Sequence, residues 1–176
     1  MRVAALAARA RRLSAAEWRV LGESAALAVV IEVALHLVPL ARILRSIEGG
    51  AIQHPSPLDR ATQNRVARLA RWPSRVLPLP ATCLRVALVQ VAVLRRRQVP
   101  ATVRFGVRRA VDTPGGPERS AATSGELEFH AWADHDGPID DRAGVDGYRA
   151  FEPVTAGAIS RSDRWSRPAA PPHVTV

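Results

Sequence analysis

Residues 78–97 read PLPATCLRVALVQVAVLRRR, and this stretch decides the fold. Its apolar residues recur at helical spacing on two faces, which is typical of a helix buried on nearly all sides. These residues are Leu84, Leu88, Val91 and Leu94 on one face and Val86, Val89 and Val93 on the other. Thr82 is of a type that caps helix N-termini, and arginines suit the C-terminal end of the helix dipole. The stretch therefore predicts a central helix with Cys83 in its first turn.

Beyond this helix the apolar pattern changes to a period of two, which is typical of half-buried strands. Residues 102–108 alternate in this way, and residues 126–136 do so again with His130 on the polar face. Asp136-Gly137 is a hairpin turn signal, so residues 138–141 are predicted to begin a returning strand. A further strand is predicted within residues 145–154.

The part of the chain before the buried helix is predicted to be helical. Ser14-Ala-Ala-Glu17 is a capping box that begins a helix running to about Leu37, with a continuation to Ile47. Ser56-Pro57 predicts the start of a second helix, which Pro73 ends. The predicted fold class is α+β, with N-terminal helices followed by a central Cys-bearing helix packed on an antiparallel sheet.

The domain organisation follows from these elements and from composition. We predict a flexible N-terminus at residues 1–12, an N-terminal helical region at 13–48 and the α+β domain at 56–154. Residues 155–176 are dominated by Arg, Ser, Pro and Ala and are predicted to be a disordered tail.

Composition narrows the function classes. The formal charge is +9, but the 25 basic residues, all arginine, are dispersed without interleaved aromatics, so no nucleic-acid partner is expected. Attraction to an acidic precursor peptide or companion protein fits this charge as well. The single cysteine excludes an internal disulfide and favours the cytoplasm. Charges and Pro39 interrupt the apolar segment at residues 24–47, so no transmembrane span is expected, whereas contact with a membrane surface stays open.

Cys83 and His130 are the residues most suited to chemistry. Cysteine attacks as the thiolate, which the positive end of a helix dipole favours, although a lone cysteine is also typical of an inert buried position. His130 lies on a predicted strand downstream, and a cysteine nucleophile needs such a base within hydrogen-bond reach. Asp140 or Asp141, on the returning strand, could orient the imidazole.

A metal site is the alternative use of the acidic residues near His130. Asp134, His135 and Asp136 cluster there with the two later aspartates. However, His130 and His135 lie on opposite faces of the predicted strand, and no zinc-type ligand spacing occurs. No Gly-rich phosphate loop is present either, so neither a metal nor another cofactor is expected.

Residues 76–109, Phe129-His-Ala-Trp132 and the Asp136-Gly137 turn resemble the lasso peptide biosynthesis B proteins. The helical residues 13–47 look like the N-terminal helices of the free-standing leader-peptidase half of those proteins. The resemblance implies a transglutaminase-like, papain-related fold in the catalytic domain at 56–154, with a Cys-His-Asp triad. Carried over by position, Cys83 would be the nucleophile and His130 the base. Asp141 aligns best as the orienting carboxylate, with Asp140 close behind.

The same resemblance implies a cysteine protease that removes the leader peptide from a lasso peptide precursor. It also implies two separate partners, a leader-binding protein and an ATP-dependent lactam-forming cyclase. The chain departs from the family at Leu79, where Trp is common, and at Gln98, where Gly is common. Two rival functions are a peptide acyl transferase or amidase of the same fold and a non-catalytic scaffold that docks precursor and cyclase.

Overall fold

The computed structural model describes residues 13–55, 58–79, 82–109, 127–139, 145 and 147–151. The predictions for residues 1–12 and 155–176 lie outside this part of the chain. The described helices, in chain order, are α1 (Ala15–Leu37), α2 (Leu40–Glu48), α3 (Arg60–Ala70), α4 (Pro73–Val76) and α5 (Cys83–Arg95). The strands are β1 (Thr102–Arg109), β2 (Leu127–Asp134) and β3 (Arg149–Ala150). The α+β class is confirmed.

Helix α1 begins and ends where the sequence predicts. The Ser14 hydroxyl accepts a hydrogen bond from the Glu17 amide at 3.2 Å, and the Glu17 carboxylate accepts one from the Ser14 amide at 2.8 Å. This reciprocal capping box satisfies two amides that the helix leaves without partners. Extended backbone at Val38 and the ring of Pro39 end the helix, and α2 begins at Leu40.

The predicted start of the next helix was wrong. Helix α3 begins at Arg60 rather than at Ser56-Pro57, and its N-cap is Asp59, whose carboxylate accepts a hydrogen bond from the Thr62 amide at 2.6 Å. The carboxylate satisfies a free helical amide, as the Ser56 hydroxyl was expected to do. Pro73 occupies the first position of the short helix α4, where its missing amide costs nothing.

Helix α5 lies at the centre of the domain and contacts α1, α2, α3 and both long strands. Thr82 caps it as predicted, because its hydroxyl accepts a hydrogen bond from the Arg85 amide at 3.3 Å. Leu88, Val89, Val91, Val93 and Leu94 are completely buried. The predicted apolar, buried helix is therefore confirmed, with two polar residues, Arg85 and Gln90, buried within it.

Arg85 is 1% exposed and pairs with Glu32 of α1 through its guanidinium at 2.5 Å. Each of the two residues is an isolated charge within an apolar helix, and burial is tolerated because they neutralise each other. The pairing holds the pKa of Glu32 below its ordinary value, chiefly through the hydrogen bond from Arg85. Sequence periodicity alone did not indicate this contact.

Helix α1 is long and apolar enough to cross a membrane by length and composition alone. Several observations tie it to the domain instead. Its residues Val20, Ser24, Ala28 and Ile31 are buried. Its Glu17 and Glu32 form ion pairs with arginines of α3 and α5, and its Glu23 pairs with Arg97 just after α5. The expectation that the chain has no transmembrane span stays a prediction.

The sheet has the strand order β2-β1-β3 and is antiparallel throughout. Its register places Gly106 of β1 between His130 on one side and Ala150 on the other. The turn predicted at Asp136-Gly137 is confirmed, since both residues adopt positive φ angles of 53° and 110°. Of the predicted returning strand, Pro138 forms a bridge to Asp134, and Ile139 donates to the Ala133 carbonyl.

Candidate active site

Cys83 is the first residue of α5 and is partly buried against the core cluster. The Thr82 side chain satisfies the Arg85 amide, so the first turn of the helix is fixed at the cysteine. Backbone amides at a helix N-terminus carry partial positive charge, which favours an anion there. The local structure is therefore suited to a thiolate and to the oxyanion that forms when a thiolate attacks a carbonyl.

His130 lies on β2 within a cluster of three rings. Its imidazole is 6.2 Å from the Trp132 ring, nearly parallel to it, and 5.1 Å from the ring of Tyr148, which precedes β3. His130 and Trp132 share one face of the strand, whereas Ala131 and Ala133 point into the core. Because two rings contact the imidazole, its orientation is restricted from both sides.

Tyr148 also belongs to a charged cluster beside His130. Arg108 and Glu128 lie directly opposite each other on β1 and β2, with 2.8 Å between Nε and Oε2. The Arg108 guanidinium lies 4.4 Å from the centre of the Tyr148 ring, and the tyrosine hydroxyl donates a hydrogen bond to Glu128. The hydrogen bond from Arg108, followed by the one from Tyr148, holds the pKa of Glu128 below its ordinary value.

The pKa of Tyr148 links this cluster to Cys83. Burial raises the pKa of the phenol most, the hydrogen bond to Glu128 and its charge raise it further, and the charge of the Cys83 thiolate adds to these effects. Helix α5, which begins with Cys83, packs against β2, the strand that carries His130.

The close approach of Trp132 to β1 depends on Gly106. A Cβ atom at position 106 would lie 2.8 Å from the indole ring of Trp132 and 2.9 Å from the carbonyl oxygen of Arg149. Trp132 was expected on the polar face of its strand, yet it is 6% exposed because it lies over this glycine. The face that carries His130 is thus partly covered rather than open to solvent.

The remaining predicted site residues, Asp140 and Asp141, lie outside the described residues. In the part of the chain that the structure describes, no three His, Cys, Asp or Glu side chains are grouped closely enough to hold a metal ion. Among the described residues, the candidates for chemistry are a cysteine at a helix N-terminus, a histidine beside two rings, and an arginine–carboxylate–tyrosine cluster next to that histidine.

Comparison with family models matches residues 25–156 to the transglutaminase-like superfamily. The chain belongs to this superfamily. The superfamily is typically related to cysteine proteases and acyltransferases, which agrees with a cysteine-dependent site at the start of a central helix. Comparisons with curated proteins and with solved structures give no match.

Sequence reasoning missed the cluster around Tyr148. Arg108 and Glu128 were recognised only as polar positions of alternating strands, and their direct pairing depends on the register of β1 against β2. One signal was available, since Tyr148 is the single tyrosine of the chain and lies within the predicted strand at residues 145–154. Nothing in its sequence position, however, indicates that β3 pairs with β1 rather than with β2.

Proposed function

We propose that this protein is a cysteine protease that removes the leader peptide from a lasso peptide precursor. In this proposal Cys83 is the nucleophile, His130 the general base and Asp141 the carboxylate that orients the imidazole, with Asp140 as the alternative. The observation that carries the proposal is the packing of α5, which begins with Cys83, against β2, which carries His130. The resemblance to the leader-peptidase half of the lasso B proteins supplies the substrate.

The reaction would proceed through an acyl-enzyme. The Cys83 thiolate attacks the carbonyl carbon at the leader–core junction, and the backbone amide of Cys83 stabilises the resulting oxyanion. His130 then gives a proton to the leaving amine as the C–N bond breaks, which leaves a thioester on the sulfur. In the second half, His130 takes a proton from water, the hydroxide attacks the thioester, and the thiolate leaves.

The proposed partners are the precursor peptide, a separate leader-binding protein and an ATP-dependent lactam-forming cyclase, all in the cytoplasm. The charge of +9 supports attraction to acidic partners. The single cysteine suits a reducing compartment, and a thiol nucleophile must stay reduced to act.

The test is a reconstituted cleavage assay with the purified protein, a lasso precursor and its leader-binding protein, read by mass spectrometry. We expect cleavage at the leader–core junction, and we expect Cys83→Ala to reduce its rate by about 10⁴-fold or more. The thermal unfolding midpoint should stay close to that of the wild type, since sulfur is needed only for the chemistry. Cleavage that persists in Cys83→Ala would refute the nucleophile assignment.

The single cysteine permits a second measurement that needs no substrate. Iodoacetamide can add only one carbamidomethyl group, at Cys83, so the alkylation rate reports on this thiol alone. If His130 acts as its base, His130→Ala should slow alkylation at neutral pH. Equal alkylation rates in the wild type and in His130→Ala would mean that His130 does not activate Cys83, which would contradict the proposed catalytic pair.

A peptide acyl transferase of the same fold is the second candidate, and superfamily membership favours it. Both reactions share the acyl-enzyme and differ in what attacks it. Addition of a primary amine to the assay would give an amide product with a transferase and only the free carboxylate with a protease. A scaffold without catalysis would give neither product.

A further inference from the structure

A groove of about 600 Å³ lies between α1, α2 and the C-terminal end of α5. Its apolar wall includes Leu27, Val30 and Ile31 of α1 together with Ile43 and Ile47 of α2. The volume is in the range of ordinary ligand sites, which are concave and mostly apolar with a few polar groups. We call this feature the arginine-rimmed groove because Arg42, Arg95 and Arg96 also line it.

The three arginines of the groove differ in what they bind. Arg95 donates to the carbonyl oxygens of Glu48, Gly50 and Ala101, so it fixes the end of the groove. Arg96 is 61% exposed and forms a 3.3 Å ion pair with Glu23. Arg42 is exposed and forms no ion pair with any residue that the structure describes. The lining contains no Asp or Glu, and although Glu23 pairs with Arg96 from outside it, Arg42 leaves the rim of the groove positive.

The groove is remote from the proposed chemistry. Cys83 is the first residue of α5 and Arg95 the last, which separates them by about 18 Å along the helix axis. A ligand in the groove therefore does not touch the cysteine, and the groove is a second site on the same helix.

We propose that the arginine-rimmed groove binds a peptide segment that carries both apolar and acidic side chains. Apolar side chains would insert along Val30, Ile31 and Ile43, and carboxylates would pair with Arg42 and Arg96 at the rim. Because the groove is concave, a peptide whose side chains insert into it fits better than a flat lipid surface does. The net charge of +9 disfavours a second copy of this basic chain as the occupant.

Two exposed positions on α1 provide a matched pair of variants. Val30 is 61% exposed and lines the groove, whereas Val33 is 52% exposed on the same helix and lies outside it. Ser46 is exposed and lines the groove from α2, so Ser46→Trp would fill it without disturbing the core. Arg42→Glu reverses the rim charge, and Arg45→Glu on the same helix, outside the lining, is its control.

The experiment selects binders from a display library of random 12-residue peptides, using the full-length Cys83→Ala protein. Enriched peptides are then synthesised with a fluorescent label and titrated by anisotropy. We expect enrichment of peptides that combine Asp or Glu with Leu, Ile, Val or Phe. Val30→Asp and Ser46→Trp should raise the Kd about tenfold or more, whereas Val33→Asp should change it less than about twofold. Arg42→Glu should weaken binding, and Arg45→Glu should not.

Any other pattern overturns the proposal. If the selected peptides are basic or uncharged, the groove does not recognise acidic side chains. If their Kd is the same in the groove variants as in the parent protein, they bind elsewhere on the protein. Vesicles of phosphatidylglycerol and phosphatidylcholine form the second arm, measured by sedimentation. If Val30→Asp and Val33→Asp reduce vesicle binding equally, and no selected peptide loses affinity in the groove variants, the occupant is a membrane surface and not a peptide. Because the sulfur is absent throughout, this result is independent of whether the protein is a protease.

Discussion

At its N-terminal end, α5 carries Cys83, which is partly buried against the core, whereas at its C-terminal end Arg95 is bound by backbone carbonyls. The strand β2, against which α5 packs, carries His130 and Glu128, and the ring of Tyr148 lies beside His130. Around the second end, the Arg95 guanidinium donates to three carbonyl oxygens that belong to other segments. The first end carries the proposed nucleophile, and the second is anchored by hydrogen bonds.

The difference shows how one buried helix can position a site. Helix α5 packs against α1, α3 and the sheet, and buried side chains hold most of its length. The C-terminal anchor fixes the helix along its axis, and the N-terminal end can then hold a nucleophile near residues of another element. Substitutions at the two ends should therefore have separable effects, on activity at one end and on stability at the other.

The largest expected effect concerns the third member of the proposed triad. If Asp141 orients His130, Asp141→Asn should reduce cleavage by about 10⁴-fold, because an amide can impose the wrong imidazole tautomer. Asp140→Asn is the matched control, and it should have a far smaller effect. The measurement is kcat/KM in the reconstituted cleavage assay.

The position of Ile139, after the hairpin turn, bears on the choice between Asp140 and Asp141. Ile139 is buried in the core beside Ala133, on the face opposite to His130 and Trp132. A strand that continued with the same alternation would carry Asp140, and not Asp141, on the His130 face. A larger loss in Asp140→Asn would therefore assign the role to Asp140, and equal, mild losses would reduce the triad to a Cys-His dyad.

The second prediction concerns the hydrogen bonds that anchor the C-terminal end of α5. Arg95→Ala removes the charged donor from three carbonyls and should lower the free energy of unfolding by about 2–3 kcal/mol. Arg96→Ala is the control on the next residue, whose ion pair is solvent-exposed, and should cost less than about 1 kcal/mol. Chemical denaturation measures both. A stability of Arg95→Ala equal to that of Arg96→Ala would contradict the anchoring role.

The third effect concerns the support beneath His130. Gly106→Ala places a methyl group 2.8 Å from the Trp132 ring, so the indole or β3 must shift. We expect a loss of about 1–3 kcal/mol in unfolding free energy, together with reduced activity because His130 stacks on the displaced ring. Gly22→Ala is the control, since a Cβ there meets nothing within 4 Å, and alanine in a helix should stabilise by up to about 1 kcal/mol. An unchanged unfolding free energy in Gly106→Ala would contradict this expectation and would mean that β3 or the indole can shift at little cost.

Local signals in the sequence predicted the elements that carry the site. The capping box at Ser14, the cap at Thr82 and the turn at Asp136-Gly137 are each determined by residues within four positions, and all three are confirmed. The apolar period likewise predicted α5 and the two long strands. A local signal also misled at Ser56-Pro57, where Asp59 is the cap instead.

Contacts between distant residues could not be predicted in the same way. The Arg85–Glu32 pair joins two helices 53 positions apart, and the pairing of β3 with β1 determines which residues reach His130. Such contacts depend on packing and on strand order, to which periodicity is insensitive. The sequence accordingly indicated Cys83 and His130 as single residues, whereas Arg108, Glu128 and Tyr148 became visible only as a cluster in the structure.

The smallest expected effect tests that cluster. Tyr148→Phe keeps a ring against His130 but removes the hydroxyl that donates to Glu128, so we expect kcat/KM to fall about tenfold with little change in unfolding free energy. The pKa of Tyr148 is raised above 10.0, so the hydroxyl stays protonated at neutral pH. The pKa of Glu128 is lowered below 4.5, so its carboxylate is present as the acceptor above that pH. The contribution of the hydrogen bond is therefore present above about pH 4.5 and is lost as the pH falls through the lowered pKa of Glu128.

The pH profile separates a positioning role of Tyr148 from a merely structural one. The ratio of wild-type to Tyr148→Phe activity should be constant between about pH 5 and pH 9 and should approach one in acid, where Glu128 is protonated. Glu128→Ala is the companion variant, because alanine has no side-chain acceptor, and its own activity should not change further when Tyr148→Phe is added, since both variants remove the same hydrogen bond. Additive losses in the double variant would mean that the tyrosine hydroxyl acts directly on His130 or on the substrate and not through Glu128.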